Sequence, residues 1–180
     1  MNQVSAEVLA RARRVRLMAF DVDGVMTDGL LWYGPQGETL KAFHTLDGHG
    51  LKMLAASGVL IAIISGRDLP AVSRRAEELG VVHVLQGVDD KGPAFDDLLA
   101  RLGLAAGETG YMGDDVVDLP VFGRCGLACA PAQAHERVLQ RAHYVSAAPA
   151  GRGAVREVCE LLMRAQETLD AALARYDKGT

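Results

Sequence analysis

The sequence is poor in the features that mark membrane, secreted or nucleic-acid-binding proteins. Its longest apolar run covers residues 59–64, six residues, against the ~20 needed to cross a bilayer. There are three cysteines, Cys125, Cys129 and Cys159, an odd number without CxxC spacing. That pattern predicts reduced, buried thiols rather than a disulfide framework or a zinc site. The five histidines show no HxH or HxxxH spacing, which argues further against zinc. Basic residues are not in excess: 19 Lys+Arg stand against 23 Asp+Glu, a formal charge of −4. Broad contact with a phosphate backbone needs a basic patch, so no nucleic-acid partner is expected. The N-terminal stretch MNQVSAEVLARARRVRL is basic but lacks an apolar run ahead of a small-residue cleavage site. It does not read as a secretory signal, and a cytoplasmic protein is expected. No internal repeat or Pro/Ser-rich linker interrupts the chain, so a single domain over residues 1–180 is expected.

What is present is an ordinary globular mixture, 49% hydrophobic and 23% charged, with a surplus of glycine at 20 of 180 residues. Short apolar runs alternate with helix-like stretches. Strands are predicted at 16–22, 59–64, 81–86, 109–113, 126–130 and 142–146, each bounded by glycine or a polar turn residue. Helices are predicted at 48–57, 69–79, 92–102, 116–124 and 133–141; in the second, Val72, Ala76 and Leu79 form one apolar stripe. Strands that are apolar on both faces belong to buried parallel sheets. The β-α-β alternation therefore predicts an α/β fold, a doubly wound Rossmann-like parallel sheet. Two segments break the pattern. Residues 29–44 read as a β-hairpin around Gly34-Pro35-Gln36-Gly37, carrying the single tryptophan, Trp32, beside Tyr33. It either packs on its own domain or projects as an arm over a site or a neighbouring subunit. The second is the tail, read as one helix over 153–176.

In an open parallel sheet, ligands bind beyond the carboxyl ends of the strands. The first predicted strand is followed by Asp21-Val-Asp23-Gly24, the second by Ser65-Gly66-Arg67, and the fourth by Gly113-Asp114-Asp115-Val-Val-Asp118. Lys91 opens the helix between the third and fourth strands. Acids, a hydroxyl and a lysine thus converge on one rim. Clustered carboxylates repel and coexist cheaply only around a cation. A ligand set made of oxygen alone selects a hard ion, Mg²⁺, which keeps waters and is completed by phosphate oxygens. Ser65, the Gly66 backbone and Lys91 can hold such a phosphate. Two carboxylates at i and i+2 could serve phosphoryl transfer, Asp21 as nucleophile and Asp23 as proton donor and then base. Asp28, taken alone, reads as a structural loop acid.

These motifs resemble the four motifs of the haloacid dehalogenase superfamily of phosphatases. The segments DVDGVMTDG, WYGPQGE, DGHG, SGR, QGVDDK, YMGDD and GRGAVREVCELLMRAQ further resemble the 3-deoxy-D-manno-octulosonate 8-phosphate (KDO 8-phosphate) phosphatase family over residues 14–167. The resemblance implies a domain without an inserted cap and a homotetramer in which one subunit's hairpin helps close the next subunit's site. It also implies Mg²⁺-dependent hydrolysis of a phosphorylated sugar acid in lipopolysaccharide inner-core sugar biosynthesis. Carried over by residue, Asp21 and Asp23 would be catalytic, with Asp21, Asp23 (through its carbonyl) and Asp114 on the metal and Asp115 and Asp118 supporting its shell. Ser65, Gly66 and Lys91 would bind phosphate, while Arg67 and Arg152 would contact the anionic substrate. Relatives acting on nine-carbon ulosonate 9-phosphates tend to carry glutamate at the Arg67 position. In one respect the chain departs from the pattern: Leu46 precedes Asp47-Gly48 where a basic residue is common. Two other readings remain open, a phosphatase for a nine-carbon 9-phosphate and a non-catalytic tetramerisation domain.

Overall fold

The computed structural model describes residues 4–177. Its chain order is α1 (Ala6–Ala12), β1 (Leu17–Phe20), β2 (Trp32–Gly34), β3 (Gly37–Leu40), α2 (Thr45–Ala56), β4 (Leu60–Ile64), α3 (Pro70–Leu79), β5 (His83–Leu85), α4 (Lys91–Leu102) and β6 (Thr109–Met112). It continues through α5 (Leu119–Phe122), β7 (Leu127–Ala130), α6 (Glu136–Leu139), β8 (Tyr144–Val145), α7 (Ala154–Ala165) and α8 (Leu169–Leu173). Six strands form one sheet in the order β5-β4-β1-β6-β7-β8, every pair parallel. This is the predicted doubly wound Rossmann-like α/β sheet.

Side-chain alternation along the strands makes two cores. Met18, Phe20, Ile61, Ile63 and Met112 face helices α1, α2, α3 and α7, while Leu17, Ala19, Ala62, Ile64 and Tyr111 face α4 and α5. With both faces covered, the strands read as continuous apolar runs. From β1 the chain moves outward to β4 and β5, then returns to β6 and proceeds the other way to β7 and β8. The crevice at this reversal opens between the carboxyl ends of β1 and β6, the usual ligand position of such sheets.

The outer features depart from the sequence reading at their ends. The tail is not one helix over 153–176. It breaks after α7, where Glu167 takes φ 60° and Gln166 Nε2 donates to the carbonyls of Ala12 and Val15. A non-glycine residue in that region cannot continue a right-handed helix. The helix predicted at 116–124 is a 3-10 turn, Val116–Asp118, followed by α5. The one predicted at 133–141 shortens to α6, capped by His135 Nδ1 accepting the Arg137 N–H at 3.1 Å. Helix α1 lies within the basic N-terminal stretch. Its start is capped by Ser5 Oγ, which accepts the Val8 N–H. The hairpin forms as an antiparallel pair, β2 and β3, and exposes Leu30, Leu31, Trp32, Tyr33 and Leu40.

Two of the segments that carry the resemblance, DGHG and GRGAVREVCELLMRAQ, meet where α2 packs on α7. Asp47, buried in the first turn of α2, accepts the backbone N–H of Arg156 at 2.8 Å and of Gly153 at 3.2 Å. It thereby caps the start of α7, where the helix dipole favours a negative charge. A Cβ on Gly50 would lie 3.1 Å from Arg156 Cα, so glycine lets α2 and α7 approach closely. Leu46 beside Asp47 is exposed.

Candidate active site

The crevice is assembled from backbone inward. The Asp21 N–H extends the β1–β6 ladder by donating to the Met112 carbonyl at 2.9 Å, placing its side chain at the strand end. The next residues turn sharply: Asp23 keeps extended backbone angles and Gly24 reverses the chain at φ 81°. A Cβ at Gly24 would come within 2.0 Å of Asp114 Oδ2, so only glycine allows β1 and the loop after β6 to approach this closely.

Asp118 organises the other wall. Its Oδ2 accepts the backbone N–H groups of Asp114 and Asp115 at 2.9 and 3.2 Å, and its Oδ1 accepts Lys91 Nζ and Tyr111 Oη, each at 2.7 Å. Lys91 also reaches Asp21 Oδ1 at 2.8 Å. One buried lysine thus joins the two carboxylates, and oxygens of Asp21, Asp114 and Asp118 lie within 4.8 Å of one another.

The charges follow from this crowding. Burial and then the neighbouring Asp118 charge raise the Asp21 carboxyl, outweighing the opposing pull of Lys91. Asp114 is pushed up to about 7, first by burial and then by Asp21 and Asp118. Burial alone would lower Lys91, but Asp21 and Asp118 together raise it. Burial and Asp118 hold the Tyr111 phenol well above its ordinary range. Asp114 Oδ1 is buried and accepts no hydrogen bond. An orphaned carboxylate oxygen beside two more carboxylates fits a hard divalent cation and costs free energy without one.

Asp21, Asp23, Gly66, Arg67, Lys91, Asp114 and Asp115 all line one cleft of about 400 Å³, together with Val88, Asp89 and Val117. Ser65 lies buried beneath it, its Oγ accepting the Arg67 N–H at 3.2 Å. Asp115 is turned towards its own helix start, where Oδ1 accepts the Val116 N–H at 2.7 Å. Asp118 acts from below, through Lys91 and two backbone amides. Arg152 is not in the cleft: it lines a separate depression with Asp28, Phe43, His44 and Gly151. Volume alone does not identify the site. A depression of about 460 Å³ near Arg13 and Arg16 gathers no comparable carboxylate cluster.

Sequence reasoning offered the hairpin as an arm over a site but missed the residues by which it reaches one. Lys41, just past β3, pairs with Asp23 and with Glu38 at 2.8 Å. Arg67 approaches Asp23 Oδ2 at 3.7 Å, Glu38 at 3.6 Å and the Tyr33 hydroxyl at 3.4 Å. The arm therefore touches the site of its own chain. Glu38 and Lys41 are the only Asp, Glu, Lys or Arg in residues 29–44, which marks the pair but not what it reaches. Tyr111 was also missed, although a tyrosine in a buried strand needs a partner for its hydroxyl.

The chain is similar in sequence and fold to known proteins. A family model described as haloacid dehalogenase-like hydrolase matches residues 79–158. The 3-deoxy-D-manno-octulosonate 8-phosphate phosphatase KdsC of Escherichia coli K12 is 47% identical over 169 residues, 94% of this chain and 90% of that protein. A crystal structure of a probable YrbI family phosphatase from Pseudomonas syringae superposes with a TM-score of 0.95 at 48% identity, covering 98% of this chain and all of the other. The KDO 8-phosphate phosphatase of Moraxella catarrhalis, in complex with magnesium, phosphate and KDO, superposes at 0.92 with 40% identity, covering 94% of this chain and 98% of that one. Coverage this complete leaves no major element of the fold unmatched. The chain belongs to the KDO 8-phosphate phosphatase family of haloacid dehalogenase-like hydrolases and is a phosphoric monoester hydrolase.

Proposed function

We propose that this enzyme hydrolyses KDO 8-phosphate to KDO and phosphate, with Mg²⁺ as cofactor, in the biosynthesis of lipopolysaccharide inner-core sugar. The observation that carries the reading is the Asp21–Lys91–Asp118 cluster with its orphaned neighbour, Asp114 Oδ1. It lies in a chain 47% identical to phosphatases named for that substrate. Asp21, the Asp23 carbonyl and Asp114 would hold Mg²⁺, with Asp115 and Asp118 supporting them. When bound, the ion neutralises carboxylate and phosphate charge.

The chain's own groups then divide the work. Asp21 attacks phosphorus, forming the Asp21–phosphate bond as the sugar's P–O bond breaks. Asp23 gives its proton to the departing alkoxide. It then takes a proton from water, whose oxygen attacks the same phosphorus, freeing phosphate and restoring Asp21. Ser65, the Gly66 N–H and Lys91 hold the phosphoryl oxygens, and Arg67 meets the sugar-acid carboxylate. Arg152, outside the cleft of its own chain, is proposed only as a contact for an anion at a subunit boundary. We propose further that residues 1–180 act as one domain in the cytoplasm. The exposed apolar arm residues Leu30, Trp32 and Leu40 support assembly of four copies; a monomeric mass in light scattering would count against it.

Phosphate release from the eight-carbon 8-phosphate and a nine-carbon ulosonate 9-phosphate tests the substrate. Faster turnover of the eight-carbon ester, abolished by EDTA and restored by Mg²⁺, is expected. Faster turnover of the nine-carbon ester, or metal-independent turnover, would overturn the corresponding half of the proposal.

A further inference from the structure

We propose that Lys41 is a positioning residue for Asp23, holding Oδ1 so that Oδ2 is the oxygen that exchanges protons with substrate and water. The inference rests on the acid/base reading of Asp23 above. Lys41 Nζ bonds Asp23 Oδ1 and, at 2.8 Å, Glu38 Oε1. Its side chain is 0% exposed. Shielding an ammonium from water is costly unless its donors find acceptors, and both acceptors are carboxylates, one of them in the active cleft.

The hairpin does not need this cation for its own pairing, which runs Trp32–Leu40, Tyr33–Glu38 and Gly34–Gly37. Asp23, by contrast, sits in the irregular turn after β1 with its side chain 23% exposed. A carboxylate in such a place has several rotamers available, and a buried partner on one oxygen selects among them. Glu38 balances the charge of Lys41, so the Glu38–Lys41 pair holds Asp23 without adding net charge beside it. The opposite oxygen, Oδ2, meets only the 3.7 Å approach of Arg67 Nε among the ion pairs of the described residues. A leaving-group oxygen or a water can occupy that side.

Steady-state kinetics on KDO 8-phosphate with Mg²⁺ tests this, using K41M, K41R, E38Q, D23N and the double variant D23N/K41M. The expected result is a fall in kcat for K41M of about 10-fold, part of the ~10²- to 10⁴-fold that acid–base catalysis supplies, with KM nearly unchanged. K41R, which keeps the cation, recovers most of kcat, and E38Q lowers kcat in the same sense as K41M. The double variant is no slower than D23N, because both changes act through one carboxylate. Unchanged kcat in K41M, a raised KM at constant kcat, or additive losses in the double variant would overturn the inference. Should K41M fail to fold, K41R and E38Q decide: a KM effect without a kcat effect in E38Q contradicts positioning. Wild-type kcat in D23N would instead remove the acid/base reading itself.

Discussion

At the scale of single residues, the site depends on a carboxylate that need not touch substrate. Asp118 accepts four hydrogen bonds, two from backbone amides and one each from Lys91 and Tyr111. An asparagine there must turn a donor towards at least one of those donors. Asp118→Asn is therefore expected to destabilise the fold by about 3–5 kcal/mol, the usual cost of breaking a buried ionic network, measured by urea denaturation. A loss below ~1 kcal/mol, the scale of one ordinary hydrogen bond, would mean that Asp118 is not the organiser described. The sequence was most legible here for Asp21, Asp114 and Lys91, because strand ends in a parallel sheet converge by topology alone. Lys41 was illegible for the opposite reason. It reaches Asp23 only because the hairpin folds back over the turn after β1, and spacing along the chain does not encode that return.

At the scale of elements, the strands were easy to read and the helix ends were not. The four inner strands, β4, β1, β6 and β7, leave an apolar signature because both faces are covered, while the edge strands β5 and β8 are only partly buried. Helix ends depend instead on particular side chains: Gln166 reaching the carbonyls after α1, Asp118 bending the loop after β6, and Ser5 starting α1. The Asp47 cap on α7 belongs to the same class, since residues more than a hundred positions apart meet there. Asp47→Ala leaves the Arg156 and Gly153 amides without their acceptor. A loss of about 1–3 kcal/mol in unfolding free energy is expected, while the cleft's ligands remain in place. Unchanged stability would show that α2 and α7 do not depend on the cap.

At the scale of the whole molecule, the formal charge of −4 is concentrated at one rim. Removing Asp21, Asp23, Asp114, Asp115, Asp118 and Lys91 leaves equal numbers of acids and bases. The consequence for stability follows from the carboxyls raised in the folded protein, Asp114 to about 7 and Asp21 also upward. The folded state holds their protons more tightly than the unfolded chain, whose carboxyls titrate near 4. This contribution is fully present below about pH 4 and is lost as pH rises towards 7. Other groups set the rest of the profile, so the test is a difference. Melting temperature measured from pH 5 to 8, with EDTA and with Mg²⁺, should show stabilisation by the ion that grows with pH, because metal ligands must be deprotonated. A Mg²⁺ effect that shrinks with rising pH would contradict the charge arrangement.

The most direct test of the central claim is phosphate release from KDO 8-phosphate by Asp21→Asn in the presence of Mg²⁺. The amide preserves size but removes the attacking carboxylate. The expected result is a folded protein with a cooperative melting transition and phosphate release at background. Turnover near the wild-type rate by that folded variant would contradict attack by Asp21.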